Sequence, residues 1–303
     1  MKRSLYLAMI TIILISVSCK QKTPVVTAEP VPEFINQLTE EEKSGGVMTP
    51  EIMWKFGRLG SFALSPDGSS VLYTVTQIDL RSEARKTNIF KIPSGGGEPV
   101  QLTTEGGSSP QWFDNGKKIA FVKGSDLMTM NPDGSEQKKV EGISEFEIFN
   151  VSPVGNKIYF TKRVKLDQTA NEKHNFPNAK VRIIDDLMYR HWNAWSDYSY
   201  SHIFVASFNG SVVSGEKDIM KDQKFESPTA PYYDDREISW SPDGKYVAYT
   251  SKRLRGIEDA RSTNSDIYLH EIASGREINI TDGNNGYDRY PVFSPDGSKI
   301  ALQ

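Results

Sequence analysis

The sequence has little of what reactive sites are built from. Of its 303 residues only one is cysteine and four are histidine. A single cysteine leaves no intramolecular disulfide and no thiolate pair for a metal. The histidines are His174, His191, His202 and His270. They form neither a His-x3-His nor a His-Glu-x2-His spacing, so the chain is expected to carry no metal and no other cofactor. No Gly-x-Ser-x-Gly occurs anywhere. The nucleophile elbow of a serine hydrolase is therefore missing, and no catalytic residue is assigned. The glycine run "PSGGGEP" falls in a hairpin turn, not between a strand and a helix, and cradles no phosphate. Charge of one sign is lacking too. The net charge is −3, with basic residues interleaved among acids. That pattern excludes a nucleic-acid partner.

Long apolar runs are also absent. The one candidate, Leu5 to Val17 behind Lys2 and Arg3, is shorter than the ~20 residues that cross a bilayer and has the length of a signal-peptide core. It ends in Ser16-Val17-Ser18-Cys19, small residues before a cysteine. This resembles the lipobox of bacterial lipoproteins, although Ser16 stands where leucine is usual. Residues 1–19 are thus expected to be a lipoprotein-type signal peptide, with Cys19 as the lipid attachment point. The expected location is the periplasm or cell envelope, on a lipid anchor in the membrane. Residues 20–48 carry Pro24, Pro30, Pro32, an acidic run and a Gly pair, the composition of a flexible linker. Thr49-Pro50-Glu51 then announces a short helix with Met53, Trp54 and Phe56 as its apolar face.

What the chain does have is repetition. Five segments align on a turn glycine: Gly68 in "FALSPDGSSVLYTV", Gly116 in "PQWFDNGKKIAFV", Gly155 in "FNVSPVGNKIYFTK", Gly244 in "ISWSPDGKYVAYTS" and Gly297 in "PVFSPDGSKIALQ". Ser-Pro-Asp-Gly suits a type I turn, because proline presets φ at the second position and glycine is favoured at the fourth. Its aspartate is expected to bond nearby backbone. After four of the turns comes a second hairpin, as in "TNIFKIPSGGGEPVQLT" and "SDIYLHEIASGREINIT". One module therefore holds four strands. Runs such as Tyr246-Val247-Ala248-Tyr249 are apolar on both faces, as strands covered on both sides must be. Four-stranded sheets of ~40–50 residues stacked around an axis form a β-propeller. The expected fold is all-β over residues 49–303, with four complete blades and the start of a fifth.

The repeats resemble those of TolB-like periplasmic proteins and of the prolyl oligopeptidase family of serine peptidases. Three segments carry the second likeness: "MTPEIMWKFGRLGSFALSPDG" at 48–68, "DDLMYRHWNAWSDYSYSHIFVAS" at 185–207 and "YDRYPVFSPDG" at 287–297. They are similar to the dipeptidyl-peptidase and acylaminoacyl-peptidase branch. Membership implies a seven-bladed propeller followed by an α/β-hydrolase domain with a Ser-Asp-His triad. The expectation is a propeller truncated before its catalytic domain, inactive alone, gating short peptides toward a hydrolase domain expected after residue 303. The alternative is a non-enzymatic TolB-like propeller that acts as a protein or peptide interaction module.

One insertion stands out, at roughly residues 163–200. It packs Tyr189, Arg190, His191, Trp192, Trp195 and Tyr198 beside Asp185, Asp186 and Asp197. Insertions in repeat proteins lie on one face and often carry binding. Guanidinium groups and indole rings suit recognition of carboxylates, carbonyls and ammonium groups. Asp185, Asp186, Arg190, His191, Trp192 and Trp195 are the candidate substrate or interface residues, and an aromatic plug over a domain interface is the alternative role. The resemblance to dipeptidyl peptidases implies propeller carboxylates that hold a peptide amino group, and the candidates here are Asp185 and Asp186, or Glu145 and Glu147, alternating on one strand face.

Overall fold

The computed structural model describes residues 38–303, apart from 80, 177, 185, 186 and 188. Within the stretch expected to be a linker, Glu40–Ser44 forms one helical turn, α1, closed by a Thr39–Glu42 capping box. Pro50–Lys55 forms α2, with Thr49 Oγ1 accepting from the Ile52 amide and Pro50 in the first turn. Glu42 joins α1 to α2 through an ion pair with Lys55 at 2.7 Å. Phe56 falls just past the helix in extended backbone, so the expected apolar face is one residue shorter.

Four four-stranded antiparallel sheets follow. Blade 1 is β1 (Arg58–Leu64), β2 (Ser70–Ile78), β3 (Arg85–Pro93) and β4 (Val100–Gln101). Blade 2 is β5 (Ser108–Phe113), β6 (Lys118–Lys123), β7 (Asp126–Met130) and β8 (Lys138–Lys139). Blade 3 is β9 (Phe149–Val151), β10 (Lys157–Lys165), β13 (Ser199–Phe208) and β14 (Val213–Asp218). Between β10 and β13 lie helix α3 (Ala170–His174) and a small hairpin, β11 (Arg190–His191) with β12 (Ala194–Trp195). Blade 4 is β15 (Ile238–Trp240), β16 (Tyr246–Ser251), β17 (Asp266–Glu271) and β18 (Glu277–Asn279), with α4 (Gly256–Arg261) between β16 and β17. A two-stranded sheet, β19 (Val292–Phe293) with β20 (Ile300–Ala301), opens a fifth blade.

The alternation of side chains across a strand explains why these sheets stack. In β10, Ile158 and Phe160 enter the core between blades 2 and 3, while Tyr159 enters the core between blades 3 and 4. In β6, Ile119 and Phe121 face blade 1 and Ala120 faces blade 3. Each middle blade is therefore apolar on both faces, and full burial of a side chain such as Phe121 stabilises the stack by about 1.5–3 kcal/mol. Polar atoms bridge the same interfaces. Trp112 Nε1 donates to Ala63 O and Trp240 Nε1 to Asn150 O, both at 3.2 Å. Gln111 clamps β9 in both directions, donating to Phe149 O at 2.8 Å and accepting from the Val151 amide at 2.9 Å.

The Ser-Pro-Asp-Gly turns form as expected. In the turn of blade 4, Ser241 Oγ donates to Asp243 Oδ1 at 2.7 Å and accepts from the Tyr246 amide at 2.9 Å. The Gly244 amide closes the turn on Ser241 O at 2.9 Å. Gly244 has a φ of 65° in the left-handed region, where a side chain is strained. A Cβ there would also lie 2.7 Å from Ser152 Oγ in the turn of blade 3. Successive turns thus sit side by side at one end of the blades. The insertion and the links between blades leave from the other.

Candidate functional site

The strands of blade 3 set the position of the insertion. β10 and β13 stay paired as far as Lys165 and Ser199, so the inserted segment is 166–198. Arg163, near the end of this ladder, is a junction. Its guanidinium donates to Ser199 O at 2.6 Å, to Glu226 Oε1 at 2.9 Å and to the Tyr233 hydroxyl at 3.3 Å. Glu226 and Tyr233 belong to the link from blade 3 to blade 4, and the Tyr233 hydroxyl also donates to Glu226 at 3.2 Å. Burial pushes the Glu226 carboxyl above the usual range, against the pull of Arg163 and the Tyr233 hydroxyl. Burial, then the charge of Glu226, pushes the Tyr233 phenol up to about 12. Arg163 therefore holds the root of the insertion against the next blade.

The hairpin β11–β12 brings together four of the six candidate residues. Arg190 Nε donates to Trp192 O at 2.6 Å. The Trp195 ring stacks on Tyr189 at 6.0 Å and is approached by two guanidinium groups, Arg182 at 4.4 Å and Arg190 at 5.6 Å. His191 packs on Trp192 at 4.7 Å. Trp192, at φ 45°, meets Tyr232 edge to face at 6.3 Å. Trp192 is 69% exposed and Tyr232 66%. Bulky residues rarely occupy the left-handed region, and such strain gathers at functional sites. Asp185, Asp186 and Cys19 lie outside the described residues.

Glu145 and Glu147 differ from expectation. They precede β9 instead of lying on it, and Glu145 has a φ of 53°. A left-handed residue interrupts strand alternation, so the two do not share a strand face. Glu147 accepts from Ser201 Oγ at 2.8 Å. Tyr232, Tyr233 and Glu226 were not anticipated from sequence. Their short link between blades bears no motif, and the long β10–β13 ladder is what carries Arg163 to them. Further along, Glu237 is fully buried, accepting from the Thr229 hydroxyl at 2.8 Å and from Arg289 Nε at 2.6 Å. This pair ties blade 4 to the fifth sheet.

On the opposite face, a cavity of about 540 Å³ lies among the turns of blades 2 and 3. Its Lys118 is already bound to Asn131 at 2.6 Å and Glu136 at 3.3 Å. Among the described residues no three His, Cys, Asp or Glu side chains gather to hold a metal, and no helix is long and apolar enough to cross a membrane.

No family model matches the chain. Among solved structures it is similar to Pyrococcus horikoshii acylaminoacyl peptidase, with a TM-score of 0.58 at 17% identity over 82% of this chain and 36% of the other. The stacked blades and this likeness define the fold. Sequence similarity supplies the class: the chain is a β-propeller similar in sequence to part of a group of peptidases. Within that class it is similar to proteins named dipeptidyl-peptidase 5. The Porphyromonas endodontalis protein is 36% identical over 267 residues, which cover 86% of this chain and 38% of the relative. The Porphyromonas gingivalis protein is 36% identical over 276 residues, and that of Arthroderma otae 27% over 292. The chain spans about two-fifths of the length of these relatives.

Proposed function

We propose that this chain is the substrate-gating propeller of an exported, oligopeptide-cleaving serine peptidase. The 36% identity to dipeptidyl-peptidase 5 over 86% of the chain carries this reading. The hydrolysis itself, acyl transfer through a serine nucleophile, falls to a hydrolase domain encoded beyond residue 303. The propeller covers that active site, admits short peptides and excludes folded proteins. Arg190, His191, Trp192 and Trp195, with Tyr232 beside them, form the surface that meets the peptide. Guanidinium groups suit its carboxylate and carbonyls, and aromatic faces suit its side chains. Cys19 anchors the protein to the membrane by lipid, and residues between it and the first helix serve as tether.

The test is the coding sequence past codon 303, followed by assay of the complete gene product on dipeptidyl and acyl-aminoacyl chromogenic peptides. A frame that continues into a domain with Gly-x-Ser-x-Gly, and release of chromophore, is the expected outcome. A stop directly after Gln303 sinks the peptidase reading. Radiolabelled palmitate should enter the wild type and not C19S.

A further inference from the structure

A second cleft, between blades 3 and 4 on the turn face, has no part in the peptidase reading. It measures about 180 Å³. Val205, Ala206, Ile219 and Ile272 line its apolar wall, Ser207 lies beside them, and its ionisable groups are Lys157, Lys217 and His270. These three come from different strands, the first residue of β10, the end of β14 and the end of β17.

The polar groups are unspent. The ammonium groups of Lys157 and Lys217 make no hydrogen bond or ion pair in the structure. Nearby lysines are engaged: Lys162 with Glu216 at 2.7 Å, Lys245 with Asp243 at 3.0 Å and Lys252 with Asp259 at 2.7 Å. Lys217 is exposed, and its Nζ lies 3.4 Å from where a Cβ on Gly275 would sit. Its ammonium therefore reaches across to the β17–β18 turn of blade 4. His270 is 4% exposed, and its Nδ1 is buried without a partner. Burial holds this imidazole below its ordinary pKa, against the charge of Glu277 and with a smaller push from Lys217. His270 is thus a neutral donor and the lysines carry the charge.

Carboxylates near the cleft already have partners. Glu277 pairs across the strands with His270, but Arg253 holds it at 2.7 Å. Glu216 is bound by Lys162, and Asp218 by His202 at 2.8 Å and the Met220 amide at 2.8 Å. Two free cations and one neutral donor beside an aliphatic wall suit an anion that carries a greasy group. Charge-assisted hydrogen bonds would hold the anion and apolar contact its tail.

We propose that the cleft formed by Lys157, Lys217 and His270 binds a small carboxylate bearing an aliphatic group. That chemistry is shared by a C-terminal aliphatic residue of a peptide and by a free branched short-chain acid. The site is independent of the insertion and of the hydrolase domain.

The experiment is titration of the full chain with isovalerate, N-acetylvaline, formate and 3-methylbutan-1-ol. Binding is followed by calorimetry and by the side-chain NMR signals of 13C-labelled histidine, of which there are four. Isovalerate and N-acetylvaline should move one histidine signal saturably, the one absent from His270→Gln. Formate, lacking the tail, and the alcohol, lacking the charge, should each bind at least about tenfold more weakly. The paired Lys157→Met and Lys217→Met variant keeps the aliphatic stems and should lose about tenfold or more in affinity. N-acetylvaline binding more tightly than isovalerate identifies a peptide end, and the reverse a free acid. Equal responses to formate and isovalerate, undiminished binding by the double lysine variant, or no saturation would each overturn the proposal.

Discussion

The interface of blades 3 and 4 and the hairpin of the insertion are built from the same residue types and treat them oppositely. Between the blades, Tyr159, Tyr249, Trp240 and Tyr268 are all 8% exposed or less. On the hairpin, Tyr189, Trp192 and Trp195 are 40–69% exposed. The polar tips differ as well. Buried Tyr159 donates its hydroxyl to Ile238 O at 2.8 Å, and Tyr249 is hydrogen-bonded to Glu277. On the hairpin, the Trp195 ring takes the guanidinium groups of Arg182 and Arg190. An aromatic whose area and polar atom are both used inside the fold is structural. One held in strained backbone with its surface open is available to something else. The contrast separates scaffold from site without recourse to residue type.

The largest expected effect lies on the scaffold side. Tyr159→Ala should destabilise the chain by about 3–5 kcal/mol, because a fully buried ring is replaced by a cavity between two blades. Tyr159→Phe keeps the ring and leaves Ile238 O unpaired, which should cost about 1–3 kcal/mol. Urea unfolding at constant m-value measures both. If Tyr159→Ala moved the midpoint no more than Tyr159→Phe, the blades would not be packed as described.

How much of this was legible beforehand depends on how local each cause is. Ser241, Asp243 and Gly244 sit within four positions, so the turn, its hydrogen bonds and the blade count could be read from spacing alone. The burial of Val247, Ala248 and Tyr249 followed from an unbroken apolar run. The insertion was visible as a gap between turns. What it touches was not. Trp192 meets Tyr232, and Arg163 meets Glu226, only because a nine-residue ladder of β10 on β13 carries one segment up to a link whose own sequence is unremarkable. Lys157, Lys217 and His270 converge for the same reason, through strand register and blade stacking. Glu145 and Glu147 show the reverse error, in which an alternating pair suggested a strand that a left-handed residue had ended.

An intermediate effect concerns pH and sets the turn face against the insertion face. Serine hydrogen bonds in the turns hold Asp67, Asp243 and Asp296 down to about 2. Depressed carboxyls favour the folded state above their ordinary value of 3.8, and that contribution is lost as pH falls toward 2. Glu226 works in the opposite sense. Its folded pKa is raised by burial above the ordinary 4.5, so its contribution is complete below 4.5 and is lost as pH rises through the raised value. Carbon-detected NMR titration should find the turn aspartates ionising well before Glu226. Arg163→Met should move Glu226 higher still, since the guanidinium favours its charged form. A Glu226 that titrates at or below an exposed glutamate would remove the buried junction at the root of the insertion.

The smallest effect on stability is expected where the surface is most available. Trp192→Ala removes a ring that is 69% exposed and touches only His191 and Tyr232 among aromatic neighbours. Alanine keeps the Cβ at a φ of 45°, so the backbone strain is the same in both proteins. The net change should fall within ~0.5 kcal/mol, as for ordinary surface substitutions. Peptide turnover by the complete gene product should nevertheless drop, through KM more than kcat, if this ring meets the substrate rather than the reacting bond. Trp195→Ala, which strips the ring that Arg182 and Arg190 approach, is the companion variant. Should Trp192→Ala instead lower the urea midpoint as Tyr159→Ala does, the hairpin would be a plug that the fold requires, and the division between scaffold and site drawn from exposure would fail at this position.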